Sequence, residues 1–173
     1  MTSQHNDQSR APATNSATRA DVPVAGIQAP DFTLLSNTGE LVHLADLQGK
    51  RIVLYFYPGG TPGCTTEACG FRDSWQELEK QDVVVLGISR DSVNSHQKFT
   101  GKYGLPFTLL SDEDGTVAQQ YGVWVEKSMY GKKYMSIART TFYIRSNGLI
   151  GHVWQQVKPD GHAQNVLAYL EKV

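Results

Sequence analysis

The sequence predicts an α/β fold in which helices flank a central mixed sheet, and three features of the chain indicate it. Two almost entirely apolar runs, at residues 52–57 and 83–89, are typical of strands buried on both faces of a sheet. The segment between them repeats apolar residues every three or four positions, as an amphipathic helix does. Near the C-terminus, the turn sequence at residues 146–148 separates two further strand-like runs, which predicts a hairpin.

The order of the elements narrows this class to a thioredoxin-like fold. The pattern predicts strands at 32–34, 41–44, 52–57, 83–89, 107–110, 140–145 and 149–157, and helices at 65–80, 91–103, 116–121 and 162–172. The strand, helix and strand at 52–89 imply a parallel pair joined by a right-handed crossover. Residues 124–137 are predicted to form a long connection. A β–α–β half followed by a hairpin and a C-terminal helix describes the thioredoxin-like fold, which we assign to residues 25–173.

Residues 1–24 differ from the rest of the chain. They are rich in Ser, Thr, Asn, Gln and Ala and contain no aromatic residue. Such a segment cannot bury enough apolar surface to order itself, so we predict a disordered tail. It also lacks the apolar stretch of a signal peptide. An organelle transit peptide is the alternative, which Arg10 and Arg19 favour and which Asp7 and Asp21 count against.

The composition restricts the classes of partner and location. The chain has 173 residues, which is enough for one domain with a sizeable core, and its net charge is −1. That charge gives no reason to expect a nucleic acid or an anionic membrane as a partner, and no apolar run approaches the ~20 residues of a membrane span. Two cysteines do not make a secreted disulfide framework, so we expect a reducing, cytoplasmic location.

A loop rich in Pro and Gly joins the strand at 52–57 to the following helix and ends on Cys64. A thiol there lies at a helix N-terminus, where free N–H groups and the positive end of the helix dipole favour the thiolate. Helical spacing places Cys64 on the buried side and Cys69 on the polar side. The buried stripe consists of Cys64, Ala68, Phe71, Trp75 and Leu78, and the polar side carries Cys69, Arg72, Asp73 and Gln76.

Two cysteines in a C-x4-C spacing admit several interpretations. They could be small buried hydrophobic residues, as free cysteines often are. A zinc site needs about four ligands, and the five histidines are scattered without ligand spacing, as surface or internally satisfied residues would be. A permanent disulfide conflicts with helix geometry, because five residues rise ~7.5 Å and place the Cα atoms roughly 8–9 Å apart, whereas a disulfide needs about 7 Å or less. The thiols can join only if the turn unwinds, which suggests a redox cycle.

Four segments of the chain resemble the peroxiredoxins, most closely the bacterioferritin-comigratory-protein or peroxiredoxin Q group. They are Ala-Pro-Asp-Phe-Thr-Leu at 29–34, Phe-Tyr-Pro at 56–58, Thr-Pro-Gly-Cys-Thr-Thr-Glu-Ala-Cys-Gly-Phe-Arg-Asp at 61–73 and Arg-Thr-Thr-Phe at 139–142. The resemblance covers residues 26–173. The Thr-Pro-Gly-Cys-Thr stretch is highly specific to the family, and the C-x4-C spacing narrows the subgroup.

The resemblance implies a thiol-dependent peroxidase that reduces hydrogen peroxide and organic hydroperoxides. Cys64 would be the peroxidatic thiolate, which peroxide oxidises to a sulfenic acid. Cys69 would be the resolving thiol, which condenses with that sulfenic acid to give an intramolecular disulfide. A thioredoxin or similar dithiol would reduce the disulfide, and no metal, haem or flavin is required. The subgroup resemblance also suggests a monomer.

The resemblance further implies that Thr61 holds the peroxide and the thiolate through its hydroxyl, and that Arg139 stabilises the thiolate and polarises the O–O bond. Backbone N–H groups, Thr61 and Arg139 could together stabilise charge on the departing oxygen. Taken alone, Thr61 could be a turn residue and Arg139 a partner in a surface salt bridge. Glu67 has two interpretations, as a residue that orients Arg139 or as an exposed first-turn carboxylate that favours the helix dipole.

The loop before the cysteine departs from the family pattern in its length. Pro58, Pro62 and Gly63 match the loop residues that shape the site and shield the thiolate. The family has three residues between the first proline and the threonine, whereas this chain has two, Gly59 and Gly60. Thr61, Pro62 and Cys64 keep their mutual spacing, so we expect the catalytic core to be preserved. The position of Pro58 does not follow from the sequence.

Two other functions remain possible from the residues. A thiol–disulfide oxidoreductase could use the same fold, although its usual C-x-x-C spacing is absent. Such an enzyme would act on disulfide substrates rather than consume peroxide. A redox-switched binding or chaperone module is the rival from another class, and rapid turnover with peroxide would count against it as the main role.

Overall fold

A computed structural model describes residues 21–173, and it confirms the predicted α/β class with a mixed seven-stranded sheet flanked by helices. The strands are β1 (Thr33–Ser36), β2 (Leu41–His43), β3 (Arg51–Phe56), β4 (Val83–Ser89), β5 (Thr108–Ser111), β6 (Trp124–Met129), β7 (Lys132–Ile137), β8 (Thr140–Ile144) and β9 (Ile150–Trp154). The helices are α1 (Pro62–Asp73), α2 (Trp75–Lys80), α3 (Val93–Tyr103), α4 (Thr116–Gln120) and α5 (His162–Leu170), with a 3-10 helix at Leu44–Leu47. Of the tail predicted over residues 1–24, residues 1–20 lie outside the described residues, and Val22 packs against the core.

The seven strands follow the order β2-β1-β5-β4-β3-β8-β9. β3 runs parallel to β4 and β4 runs parallel to β5, whereas β8 pairs antiparallel with both β3 and β9. The end of β3 and the start of β8 therefore lie side by side inside the sheet, where Phe56 pairs with Thr140. Among the helices of residues 21–173, none is long and apolar enough to cross a membrane.

The strand β3 is buried on both faces, which explains its unbroken apolar sequence. Successive side chains of a strand point to opposite faces. Ile52, Leu54 and Phe56 accordingly enter one core cluster, which also contains residues of α4. Val53, Tyr55 and Tyr57 enter a second cluster, which α1, α2 and α5 cover. Cys64 belongs to this second cluster, so the core itself fixes the start of α1.

The single helix predicted over residues 65–80 is in fact two helices, α1 and α2, and it starts earlier than predicted. Ser74 lies between them with φ −95° and ψ 9°, outside the helical region, and this interrupts the helix. After this bend, the half-buried Trp75 packs near Phe107, with ring centroids 6.1 Å apart. The other four residues of the predicted stripe are buried, namely Cys64, Ala68, Phe71 and Leu78.

The predicted long connection at residues 124–137 is wrong, because β6 and β7 form a two-stranded antiparallel hairpin there. Tyr130 and Gly131 form its turn, with φ of 52° and 77°. Positive φ at both central residues suits the right-handed twist of a hairpin. The sequence signal was the single turn glycine, which the polar lysines beside it obscured.

The C-terminal helix α5 covers the second core cluster. Val166 and Leu170 are fully buried, and Leu167 is half-buried. The helix ends at Leu170, earlier than the predicted residue 172, and Val173 beyond it is 63% exposed.

Candidate active site

The loop after β3 is short because two consecutive glycines turn the chain. Gly59 and Gly60 both adopt the left-handed conformation, with φ of 82° and 66°, which costs little only for glycine. A Cβ atom at Gly59 would also overlap the Asp91 carboxylate. Thr61 then returns to the extended region, with φ −119° and ψ 154°, and α1 begins at the next residue.

Thr61 caps α1 and contacts the thiol at the same time. Its Oγ1 accepts a hydrogen bond from the backbone N–H of Cys64 at 3.3 Å, as an N-cap threonine does. The same Oγ1 lies 3.0 Å from Cys64 Sγ. Pro62 starts the helix, where the missing N–H of proline is not needed. Cys64 is only 3% exposed, so its sulfur lies at the helix N-terminus with little access to water.

Arg139 reaches the sulfur from a distant part of the chain. It directly precedes β8, and the pairing of β8 with β3 brings it beside the end of β3. Its Nη2 donates to Cys64 Sγ at 3.4 Å, and its Nη1 donates to Glu67 Oε1 at 2.9 Å. One guanidinium therefore bridges the thiol and a carboxylate of α1.

Glu67 is a buried part of the site, so the interpretation of an exposed first-turn carboxylate is wrong. It is 1% exposed, and its Oε2 has no hydrogen-bond partner among the described residues. Burial raises the pKa of Glu67 to about 7, although the charge and hydrogen bond of Arg139 act in the opposite direction. Burial lowers the pKa of Arg139, but Glu67 and Cys64 outweigh it and hold that pKa above its usual value.

Pro58, Pro62 and Gly63, the loop residues expected to shape the site, have different surroundings. A Cβ atom at Gly63 would lie 3.0 Å from Pro159 Cγ and 3.2 Å from Arg139 Nη2, so glycine leaves room for the guanidinium. Pro62 lines the cavity that leads to Cys64. Pro58 is half-buried directly after the last buried residue of the β3 run.

An open cavity of about 680 Å³ leads to the thiol. The loop and the start of α1 form one side, and α3 with the segment before it forms the other. The lining residues are Tyr57, Gly60, Thr61, Pro62, Cys64, Thr65, Asp91, Ser95, Phe99, Lys102 and Tyr103. The α3 side of the cavity was not predicted from the sequence. Its one signal was the four-residue spacing of Phe99 and Tyr103, which places both rings on one helix face, with centroids 5.3 Å apart.

A buried polar network adjoins this cavity through Tyr57 and Asp91. His96 is 1% exposed, and its Nε2 lies 2.9 Å from the Tyr57 hydroxyl and 2.8 Å from Ser89 Oγ. Its Nδ1 lies 3.0 Å from Ser111 Oγ, and the Ser89 hydroxyl donates to Asp91. Burial lowers the pKa of His96, which favours the neutral ring. His96 is thus an internally satisfied histidine, and the network supports the residues on which the cavity is built.

Cys69 lies apart from these groups. It is half-buried in a groove beside residues 159–161 and Ala163 of α5. Both cysteines are free, and α1 is continuous through both of them. The structure therefore brings Thr61, Cys64 and Arg139 together and leaves Cys69 further along the helix.

The groups around Cys64 Sγ can stabilise negative charge. A hydroxyl, a guanidinium and the helix N-terminus surround the sulfur. The same donors can stabilise charge that develops on an oxygen bonded to the attacking sulfur. Within residues 21–173, no cluster of three or more His, Cys, Asp or Glu side chains is arranged to hold a metal ion.

Comparison with known proteins places the chain in a family. Residues 25–153 match the AhpC/TSA family. The chain is 59% identical over 146 residues to a putative peroxiredoxin Bcp of Coxiella burnetii, which covers 84% of this chain and 97% of that protein. It is 49% identical over 149 residues to the peroxiredoxin Bcp of Escherichia coli K12, covering 86% and 96%. A solved structure of the Xanthomonas campestris bacterioferritin comigratory protein, studied for alkyl peroxide reduction, superimposes with a TM-score of 0.80 at 39% identity, covering 86% and 98%.

These matches span nearly the whole length of each relative, and their fold is the one described above. The chain therefore belongs to the AhpC/TSA family and, within it, to the peroxide-reducing peroxiredoxins of the bacterioferritin comigratory protein and peroxiredoxin Q group.

Proposed function

We propose that Cys64 is the residue that reduces peroxide, with hydrogen peroxide and organic hydroperoxides as substrates. The observation that carries this proposal is the position of its sulfur, 3.0 Å from Thr61 Oγ1 and 3.4 Å from Arg139 Nη2. The thiolate attacks the terminal peroxide oxygen, an S–O bond forms and the O–O bond breaks. The attacked oxygen keeps its hydrogen, so sulfur is oxidised to a sulfenic acid. The departing oxygen leaves as an alkoxide or hydroxide and takes a proton from solvent to become an alcohol or water.

Thr61 and Arg139 stabilise this step through hydrogen bonds to the sulfur and to the reacting oxygen. Pro62 lines the cavity and Gly63 leaves space for the guanidinium, so both shape the site. The cavity has room for the organic part of a hydroperoxide beside α3, and alkyl peroxide reduction is the activity for which the X. campestris relative was studied.

Cys69 then acts as the resolving thiol. Its sulfur attacks the sulfenic sulfur of Cys64, a disulfide forms and water leaves with the thiol proton. Because both residues lie in one continuous helix, the first turns of α1 must unwind before the bond can form. A thioredoxin-like dithiol would reduce the disulfide and restore both thiols. We further propose that the enzyme works as a monomer and in the reducing cytoplasm, which suits two free cysteines.

A peroxidase assay coupled to thioredoxin, thioredoxin reductase and NADPH tests this proposal. We expect Cys64→Ser to abolish peroxide consumption, because no other residue supplies the nucleophile. We expect Cys69→Ser to form one sulfenic acid per chain, detectable by mass after trapping, and to turn over poorly with thioredoxin.

Equal residual activity in both variants would contradict the two assignments. Reduction of a disulfide substrate by the wild type, without consumption of peroxide, would favour a thiol–disulfide oxidoreductase instead.

A further inference from the structure

Lys127 differs from the other lysines of the β6–β7 hairpin. Lys132 and Lys133 are exposed, and Lys133 pairs with Glu126 at 3.6 Å. Lys127 is half-buried, and its Nζ turns back onto strand β7. It donates to the carbonyl oxygen of Ile137 at 2.8 Å and to Ser136 Oγ at 3.4 Å. An ammonium that bonds a backbone carbonyl restrains the chain at that point.

The restrained carbonyl lies two residues before Arg139. Ile137 is 1% exposed and belongs to the first core cluster, so its side chain is fixed while its carbonyl faces Lys127. The next residue is held by the hydrogen bond from Ala138 N to Val123 O at 2.7 Å. Lys127 thus supplies a side-chain restraint at the start of the segment from which the guanidinium extends to Cys64, and the Thr140 hydroxyl, which donates to the Ala138 carbonyl at 2.8 Å, supplies another.

The ammonium also lies within electrostatic range of the active site. Burial lowers the pKa of Lys127, the charge of Arg139 lowers it further, and Cys64 acts in the opposite direction. A cation held near a guanidinium is unfavourable unless its hydrogen bonds compensate. Its bonds to β7 provide that compensation, and they keep the ammonium beside the segment that carries Arg139.

We propose that Lys127 is a positioning residue for the peroxidase reaction, which holds the backbone before Arg139 so that the guanidinium stays against the Cys64 sulfur. This inference rests on the proposed role of Cys64. A guanidinium 3.4 Å from Sγ has little tolerance for movement, and a displacement of about 1 Å in an active site can cost up to ~100-fold in rate.

The test uses the Cys69→Ser chain, in which Cys64 is the single thiol. Lys127→Met, Lys127→Arg and the control Lys133→Met are compared by two measurements. The first is the rate of Cys64 oxidation by peroxide in stopped flow. The second is the rate of Cys64 alkylation by iodoacetamide against pH, which reports the thiolate without peroxide. If the parent chain alkylates but does not oxidise, the proposed function fails while the alkylation profile still tests Lys127.

We expect Lys127→Met to slow the oxidation of Cys64 about 10-fold at neutral pH. It should also move the pH profile of Cys64 alkylation to higher pH. Lys127→Arg should recover most of the rate, because a guanidinium can also donate to the Ile137 carbonyl. Lys133→Met should match the parent chain. In an Arg139→Met background, adding Lys127→Met should change the rate less than about twofold, because the residue that it positions is gone.

Two results would overturn the inference. One is a Lys127→Met chain that matches Lys133→Met in both profiles, even if its unfolding temperature falls, since Lys127 would then support only the hairpin. The other is that Lys127→Met slows oxidation about 10-fold in the Arg139→Met background as well. That result would show that Lys127 does not act through Arg139. If Lys127→Met does not fold, Lys127→Gln takes its place in the same comparison, with the same expected slowing of Cys64 oxidation.

Discussion

Cys64 and Cys69 are identical residues on one helix, yet the protein surrounds them differently. Cys64 is 3% exposed and contacts a hydroxyl and a guanidinium. Cys69 is half-buried in an open groove between α1 and the loop before α5. The first position suits a sulfur that attacks a small substrate in a confined site. The second favours a thiol that can leave its place and meet a partner. The roles that we propose for the two cysteines thus follow from their surroundings.

The largest effect that we expect is a change in the structure of α1 on oxidation, which removes the different surroundings of Cys64 and Cys69. Joining the two thiols requires the helix to unwind, so residues 65–70 should lose their helical hydrogen bonds in the disulfide form. Gly59 and Gly60 precede the unwinding turn, and their freedom should ease it. Hydrogen exchange measured by mass spectrometry on reduced and oxidised protein should show reduced protection there, with α5 unchanged.

Cys69→Ser treated with the same peroxide is the matched control, because it is oxidised but cannot form the bridge. Equal protection of residues 65–70 in both redox forms, with the Cys64–Cys69 bond confirmed by mass, would contradict the geometric argument.

The next largest effect should come from Arg139, which contacts one cysteine and not the other. We expect Arg139→Met to slow oxidation of Cys64 by about 100-fold or more, the usual cost of removing one preorganised donor from a reacting centre. The rate should recover in part at high pH, where the thiolate forms without the guanidinium. Stopped-flow rates against pH give the measurement, and Arg145→Met, an exposed arginine at the other end of β8, is the control.

Alkylation of Cys69 should be the same in Arg139→Met and in the parent chain. An unchanged pH profile for Cys64 would make Arg139 a structural residue only.

The contact between Thr61 and Cys64 was expected from the family resemblance, and its physical reason is local. Thr61 and Cys64 are three residues apart, and an N-cap threonine at the start of a helix fixes their geometry without help from the rest of the chain. The two buried parallel strands were equally clear, because a strand buried on both faces leaves no polar position. Local patterns were enough for these two features.

The rest of the site depends on pairing between distant segments. Arg139 was identified through family resemblance, but its contact with Glu67 spans 72 residues and needs the register of β3 with β8. The α3 side of the cavity and the burial of Glu67 depend on how helices pack, which periodicity does not specify. The hairpin at residues 124–137 was missed because a short turn with one glycine resembles any polar loop.

A smaller effect should appear in the pH dependence of the free energy of unfolding, to which Glu67 contributes. Its pKa is about 7 in the folded protein, against 4.5 for an ordinary glutamate. The folded state therefore binds more protons than the unfolded state between these values, so this residue's contribution to stability falls as pH rises through that window. Glu67→Gln does not titrate, so its free energy of unfolding relative to wild type should rise by roughly 2 kcal/mol between pH 5 and pH 8.

Chemical denaturation of both chains across this range gives the measurement, with the exposed Glu77→Gln as control. If the free energy of unfolding of Glu67→Gln minus that of wild type is constant with pH, or falls as pH rises, the raised pKa of Glu67 is contradicted.

The smallest effect concerns the rate at Cys64 when Glu67 loses its charge. Glu67→Gln keeps an oxygen that can accept from Arg139 but removes the charge from a hydrogen bond of 2.9 Å. A hydrogen bond is worth about 1 kcal/mol net, so we expect oxidation of Cys64 to slow about 5-fold above pH 8. The two chains should converge near pH 5.5, where wild-type Glu67 is already protonated. A faster rate in Glu67→Gln above pH 8 would show that Glu67 competes with the thiolate for Arg139 instead of orienting the guanidinium toward it.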